Sequence, residues 1–174
     1  MDTKITVAFI AGMCSFIGLV ITKEHKVSEF RQLWIDRVRD DISDLMAGIN
    51  KLGFSWDIKS HSETVNNELL KDFVKENLET FNEIDVAISR IKLSLNPDKD
   101  ADLIDVLNKL TEASNPPTDL KAMETSIDSI EELSHQMFKV EWERVKKGEW
   151  FYRCTKYLAA ASVVALGVFF ATKI

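Results

Sequence analysis

The sequence predicts an all-α protein in which two transmembrane helices, one near each end, flank a cytoplasmic helical bundle. Two uncharged apolar runs support this prediction. They cover Ile5–Thr22 and Tyr157–Thr172, and each has a lysine on either side. Between the runs, apolar residues recur at steps of three and four, which is the period of amphipathic helices. The predicted segments are a first transmembrane helix at 1–22, a cytoplasmic domain at 23–156 and a second transmembrane helix at 157–174.

The first run has the composition of a membrane-spanning helix. Its 18 residues extend roughly 27 Å as a helix, close to the ~30 Å hydrocarbon core of a bilayer. A secretory signal peptide is the alternative, but the run is long for one and no small-residue cleavage site follows it. The second run has 16 residues and needs lysine snorkelling or local bilayer thinning to span.

Basic residues near the two runs predict their orientation. Most of them lie on the side of the middle segment: Lys23, Lys26, Arg31, Arg37, Arg39, Lys139, Arg144, Lys146, Lys147, Arg153 and Lys156. The outer sides carry only Lys4 and Lys173. The positive-inside rule therefore predicts a multi-pass protein of the inner (plasma) membrane, with both termini outside the cytoplasm.

The middle segment is acidic. Residues 23–156 contain 20 Lys and Arg against 27 Asp and Glu, a formal charge of −7. General nucleic-acid binding is therefore not expected. The basic residues next to the runs are expected to contact anionic head groups of membrane lipid.

The middle segment is predicted to fold as four helices without strands. They run from about Val27 to Leu52, from a serine cap at Ser60 or Ser62 to Leu95, from about Asp100 to Ala113, and from the cap Thr118 to Lys147. Gly53, Asn96-Pro97 and Asn115-Pro116-Pro117 separate them. Their unequal lengths do not fit a simple up-and-down bundle, so a long helix bends, one lies oblique, or a boundary differs by a turn or more.

The chain carries no sequence motif for catalysis. It has no phosphate-binding loop, no dinucleotide-binding glycine pattern and no nucleophile elbow. The three histidines stand in unrelated local contexts, and Cys14 and Cys154 form neither a CxxC motif nor a disulfide framework. We therefore predict no enzyme activity, no cofactor and no metal site.

Two segments carry a resemblance to a known family. They are SEFRQLWIDRVRDDISDL at 28–45 and FKVEWERVKKGEW at 138–150. The chain resembles a bacterial family of small two-span membrane proteins, in which an EFRQ-W helix follows the first span and an EWE-VK-GE segment precedes the second. It looks most like the channel effector of the Hailong anti-phage system. The resemblance implies a role in anti-phage defence and brings no catalytic residue with it.

The runs also suggest a pore. The first carries small and hydroxyl residues, and we predict that these line a channel: Thr6, Ala8, Gly12, Ser15, Gly18 and Thr22. Bulky neighbours are candidates for a dewetting gate: Phe9, Met13 and Phe16. Asp2 is the candidate charge at the outer mouth and Glu24 at the inner one.

Two functions are compatible with these observations. The first is an oligomeric membrane channel or membrane-disrupting effector, gated through its cytoplasmic domain by a regulatory protein or ligand. Two helices per chain cannot enclose water, so this function requires a homo-oligomer, with a tetramer favoured. The second is a membrane-anchored scaffold that recruits a cytoplasmic partner. Conductance distinguishes the two.

Overall fold

A computed structural model describes residues 3–112, 120–147 and 150–171, and within them the side chains of 11–111, 125–147, 152–162, 164, 165 and 168. These residues form six α-helices and no strand, so the all-α prediction is confirmed. The helices are α1 (Thr3–Ser62), α2 (Asn67–Glu76), α3 (Leu78–Ser94), α4 (Ala101–Glu112), α5 (Leu120–Lys147) and α6 (Trp150–Ala171).

The predicted membrane spans require a correction. Among the residues that the structure describes, no helix has both the length and the apolar character needed to cross a membrane. The prediction of two transmembrane helices is therefore wrong, and so is the multi-pass inner-membrane location that depended on it. The 16 residues of the second run fall below the ~17–25 that a membrane-spanning helix typically has.

Helix α1 is longer than predicted at its carboxyl end. The sequence suggested a stop at Gly53, yet the helix continues to Ser62. A glycine inside a helix costs about 1 kcal/mol relative to alanine. Burial of Leu52 and Trp56, one on each side of Gly53, outweighs that cost, because each buried side chain contributes about 1.5–3 kcal/mol.

The second predicted helix is two helices. Its cap is neither Ser60 nor Ser62 but Asn66, whose Oδ1 accepts hydrogen bonds from the backbone N–H groups of Glu68 (2.9 Å) and Leu69 (2.8 Å). Asn77 then ends α2 and precedes α3, with φ −107° and ψ 14°, values that leave the helical region. Its side-chain amide donates to the carbonyl oxygen of Phe73 at 2.9 Å.

The break at Asn96-Pro97 is confirmed. Helix α3 ends at Ser94, and Leu95 has extended backbone angles. Asp100 Oδ2 accepts from the Asn96 N–H at 2.8 Å, and Asn96 Oδ1 accepts from the Asp98 N–H at 3.0 Å, which closes the turn before α4. The predicted break at 115–117 and the cap Thr118 lie outside the described residues.

The chain divides into two compact units. The terminal unit comprises Met1–Leu33 and Glu141–Ile174, and the central unit comprises Trp34–Val140. The core of the central unit combines one stripe each from α1, α3, α4 and α5: Val38, Ile42, Leu45 and Ile49; Ala87, Ile88 and Ile91; Leu103 and Leu107; Ile130 and Met137. Apart from the adjacent pair Ala87 and Ile88, the residues of these stripes follow helical steps of three, four or seven.

A second, smaller core of the central unit is aromatic. Leu52 and Trp56 of α1 pack with Phe73 of α2, which is fully buried. The Trp56 and Phe73 rings meet edge-on at a centroid distance of 5.1 Å, and Phe81 of α3 meets Phe73 at 6.3 Å. This aromatic cluster fixes α2 and the start of α3 on α1.

Candidate interaction groove

A groove of about 590 Å³ lies between α1 and α3 of the central unit. Helix α1 lines it with Asp44, Ala47, Gly48 and Lys51. Helix α3 lines it with Glu79, Asn82, Glu83, Val86, Ala87 and Arg90. The lining therefore combines small residues with charged ones.

Gly48 allows the two helices to approach closely at the base of the groove. A Cβ atom at this position would lie 2.8 Å from Cγ1 of Ile84 on α3, which is closer than carbon atoms pack. Ala47 and Ala87 add little side-chain volume beside it. The floor is consequently formed by small residues and backbone.

The charges around the groove do not balance. Arg90 lies with Nη1 3.8 Å from Oδ1 of Asp41, whose side chain is only 10% exposed, so this cation offsets a carboxylate beneath the groove. The lining also contains Lys51 and three further carboxylates, Asp44, Glu79 and Glu83. The groove has a net negative charge as a result.

Exposed apolar side chains extend the groove on both helices. On α1, Phe54 (70% exposed) and Ile58 continue the face of Ala47 and Lys51, because these positions follow at steps of three and four. On α3, Leu78, Val86 and Leu93 (88% exposed) share the face of Asn82 in the same way.

Contacts along the two faces set their register. Trp34 Nε1 donates to the carbonyl oxygen of Ser94 at 3.0 Å, near the end of α3. Lys59 Nζ, much later on α1, lies 2.7 Å from Glu76 Oε2, just before α3 begins. The helices are therefore antiparallel, and Phe54 lies at about the level where α3 begins.

The candidate pore residues other than Asp2 lie in the first part of α1, within the terminal unit. Asp2 lies outside the described residues, and Thr6, Ala8 and Phe9 are helical but their side chains are not described. The other candidates are exposed or half-buried: Gly12, Met13, Ser15, Phe16, Gly18, Thr22 and Glu24.

Two details of this segment bear on its packing. A Cβ atom at Gly12 or Gly18 would meet nothing within 4 Å, so neither glycine mediates a close helix contact with the part of the chain that the structure describes. The hydroxyls of Ser15 and Thr22 donate to carbonyl oxygens four residues earlier, each at 2.9 Å. The pore and gate roles stay predictions.

The structure brings together the two segments that carry the family resemblance. Within the terminal unit, Arg31 Nε lies 3.2 Å from Glu141 Oε2, and Arg144 Nη1 donates to Glu141 Oε1 at 2.8 Å. Within the central unit, the Arg39 guanidinium lies 5.2 Å from the ring centroid of Phe138. These contacts pair residues 28–45 with 138–150.

Two of the three histidines lie beside a carboxylate. His61 lies 3.4 Å from Asp57, and His135 lies 3.5 Å from Glu131, each with the carboxylate one turn earlier on the same helix. No group of three His, Cys, Asp or Glu side chains that could hold a metal occurs among the described residues.

Comparison with protein-family models, with curated proteins and with solved structures finds no match. The predicted family resemblance is therefore not tested by these comparisons and stays a prediction. The groove itself was missed by sequence reasoning, although the small pair Ala47-Gly48 inside an amphipathic stripe was a visible signal for it.

Proposed function

We propose that this chain is a helical scaffold that recruits a protein partner through its central unit. The proposal keeps the partner recruitment of the scaffold alternative and omits its membrane anchor. The observation that carries it is the α1/α3 groove, extended on both helices by exposed apolar side chains. Exposed apolar side chains beside a concave site are typical of protein interaction sites.

The exposed side chains beside the groove are not needed by the core. The central unit already buries a continuous set of apolar residues on the inner faces of α1, α3, α4 and α5. Phe54, Leu78 and Leu93 lie outside that set and are more than half exposed. Covering such a side chain contributes about 1.5–3 kcal/mol, which a partner protein can supply.

The channel hypothesis depends on membrane spans, which the described helices do not provide. It is therefore not part of this proposal. Partner recruitment makes no such demand, because it uses surface residues of the central unit alone.

Site-specific crosslinking in the native cells tests the proposal. A photoreactive amino acid replaces Phe54, Leu78 or Leu93 beside the groove, with Asp105 and Asp128 as exposed polar control positions. We expect the same crosslinked protein from the three groove positions and none from the controls. That protein, identified by mass spectrometry and purified, should bind the full chain in a titration.

Absence of a discrete crosslink from all five positions would overturn the scaffold function. Failure of the purified pair to bind would overturn it as well. Strong crosslinking from the control positions alone would leave the scaffold function in place but move the binding surface away from the groove.

A further inference from the structure

We infer that the α1/α3 groove takes a basic amphipathic helix of the partner protein. This inference rests on the proposed function, because it names the segment of the partner that the scaffold holds. Three features of the groove support it: its length, its floor and its charge.

The length of the groove suits a helix of a few turns. Its lining reaches from Glu79 to Arg90 on α3, which is about 17 Å along a helix axis. This distance corresponds to about three turns, over which an amphipathic helix presents apolar anchors at steps of three and four. An extended segment of the same length would present only alternate side chains and would leave backbone groups without partners.

The floor of the groove permits close approach. Ala47 and Ala87 add only methyl groups to the lining, so a third helix can lie over the contact between α1 and α3 at the short end of the usual 8–10 Å axis separation. Val86 is 48% exposed and offers an apolar contact near the middle. Phe54 offers another near the start of α3, so the apolar face of the incoming helix has contacts along its length.

The charge of the groove selects a basic helix. Asp44, Glu79 and Glu83 attract Lys or Arg side chains that flank the apolar face of the incoming segment. Lys51 and Arg90 do not offset these three carboxylates fully, and Arg90 also lies 3.8 Å from the carboxylate of the buried Asp41. Nucleic acids and other anionic ligands are disfavoured by the same carboxylates.

A synthetic peptide provides the test without a purified partner. The probe is a fluorescein-labelled, side-chain-stapled helix of about 14 residues, with leucines on one face and lysines beside them. Two control peptides carry glutamate in place of lysine, or the same residues in a scrambled order. By fluorescence polarisation with the full chain, we expect the basic amphipathic helix to bind at least about tenfold more tightly than either control.

Two charge reversals on α3 locate the binding site. Glu83→Lys changes a residue that lines the groove, whereas Asp85→Lys makes the same charge change at an exposed position outside the lining. We expect Glu83→Lys to weaken peptide binding by about fivefold or more and Asp85→Lys by less than about twofold. Glu79→Lys serves as a second groove variant, and circular dichroism establishes that each variant is folded.

Equal weakening by Glu83→Lys and Asp85→Lys would overturn the inference, because it would show general attraction to an acidic surface. Equal binding of the scrambled peptide would overturn it too, since an amphipathic face would then not be recognised. A third contrary result is self-association of the chain in sedimentation experiments that Glu83→Lys abolishes. A second copy of the chain would then be the occupant.

Binding of the purified, crosslinked partner to the Glu83→Lys variant tests this inference separately from the proposed function. If the purified partner binds Glu83→Lys as tightly as it binds the parent chain, the groove is not its site, although recruitment stands. If no partner is found while the basic peptide binds the groove as expected, the proposed function fails and the groove chemistry stands.

Discussion

Every apolar side chain that the structure describes as buried belongs to the central unit, whereas those described in the terminal unit are exposed or half-buried. Composition does not explain the difference, because the terminal unit contains the two uncharged runs at 5–22 and 157–172. Spacing does explain it. Apolar residues at steps of three and four lie on one side of a helix and can all meet one core. A run that is apolar on every side cannot be covered by a single neighbouring helix.

The largest expected effect contrasts one phenylalanine from each unit. Phe73→Ala removes the centre of the aromatic cluster in the central unit and should lower the free energy of unfolding by about 3–5 kcal/mol. Phe30→Ala in the terminal unit should change it by less than about 0.5 kcal/mol, because Phe30 is 68% exposed. Urea unfolding followed by circular dichroism measures both. Similar losses at the two positions would mean that the terminal unit buries Phe30 in solution.

Glycine replacements should have opposite signs in the two units. Gly48→Ala places a methyl group against Ile84, and overpacking of about 1–3 kcal/mol exceeds the gain of about 1 kcal/mol in helix propensity. We expect a net loss of about 1 kcal/mol. Gly18→Ala meets open space and should raise stability by up to about 1 kcal/mol. Thermal unfolding gives both signs, and a stabilising Gly48→Ala would show that α1 and α3 are further apart than described.

The cap of α2 tests how far the central core extends. Asn66→Ala removes the acceptor of two backbone N–H groups and should cost about 1 kcal/mol, because the buried Leu69 and Phe73 depend on α2. Ser62→Ala should cost almost nothing, since the Ser62 hydroxyl donates to a carbonyl within α1 and caps no helix. Chemical unfolding compares them, and the reverse ranking would restore the boundary predicted from sequence.

Ion pairs are expected to give a smaller effect. Arg31 and Glu141 of the terminal unit are 20% and 16% exposed, so a double-mutant cycle should give a coupling of about 1 kcal/mol. The exposed pair Lys109 and Asp105 of the central unit should give about 0.3–0.5 kcal/mol. If the exposed pair couples more strongly, polar contacts do not distinguish the two units.

The smallest expected effect is a titration in the terminal unit. Lys26 donates a hydrogen bond to Glu29 at 2.8 Å, and this bond and the ammonium charge hold the pKa of Glu29 below 4.5. Because folding lowers this pKa, the interaction stabilises the folded chain at pH values above the ordinary pKa of 4.5. The stabilisation is lost as the pH falls through the lowered pKa. Lys26→Ala should raise the pKa of Glu29 towards 4.5 in an NMR titration. An unchanged pKa would show that the exposed pair does not persist in water.

Much of the fold could be predicted, because the local spacing of apolar residues agrees with the tertiary packing in most of the central unit. The stripes of α1, α4 and α5 follow helical spacing. Pro97 favours the end of a helix through local backbone geometry alone, independently of tertiary contacts. The second predicted helix is shorter than its pattern implied, because Asn77 divides it into α2 and α3.

The rest depended on contacts between distant residues. Ser60, Ser62 and Asn66 are all good caps locally, and only the burial of Leu69 and Phe73 selects Asn66. The pair Ala47-Gly48 is a local signal for a close helix contact, but its partner Ile84 lies on another helix, which no local pattern identifies. The spans were predicted from hydropathy, which identifies an apolar run but not what surrounds it.

The aromatic cluster also gives the central unit an optical label of its own. Trp56 is 4% exposed and lies against Phe73, whereas Trp142 of the terminal unit is 46% exposed. In a variant with Phe in place of Trp34 and Trp150, which leaves two of the four tryptophans, acrylamide should therefore quench Trp142 fluorescence at low concentration while Trp56 emits unquenched at shorter wavelength. Loss of that protected emission during unfolding reports the moment at which water reaches the end of the central core, independently of what happens elsewhere in the chain.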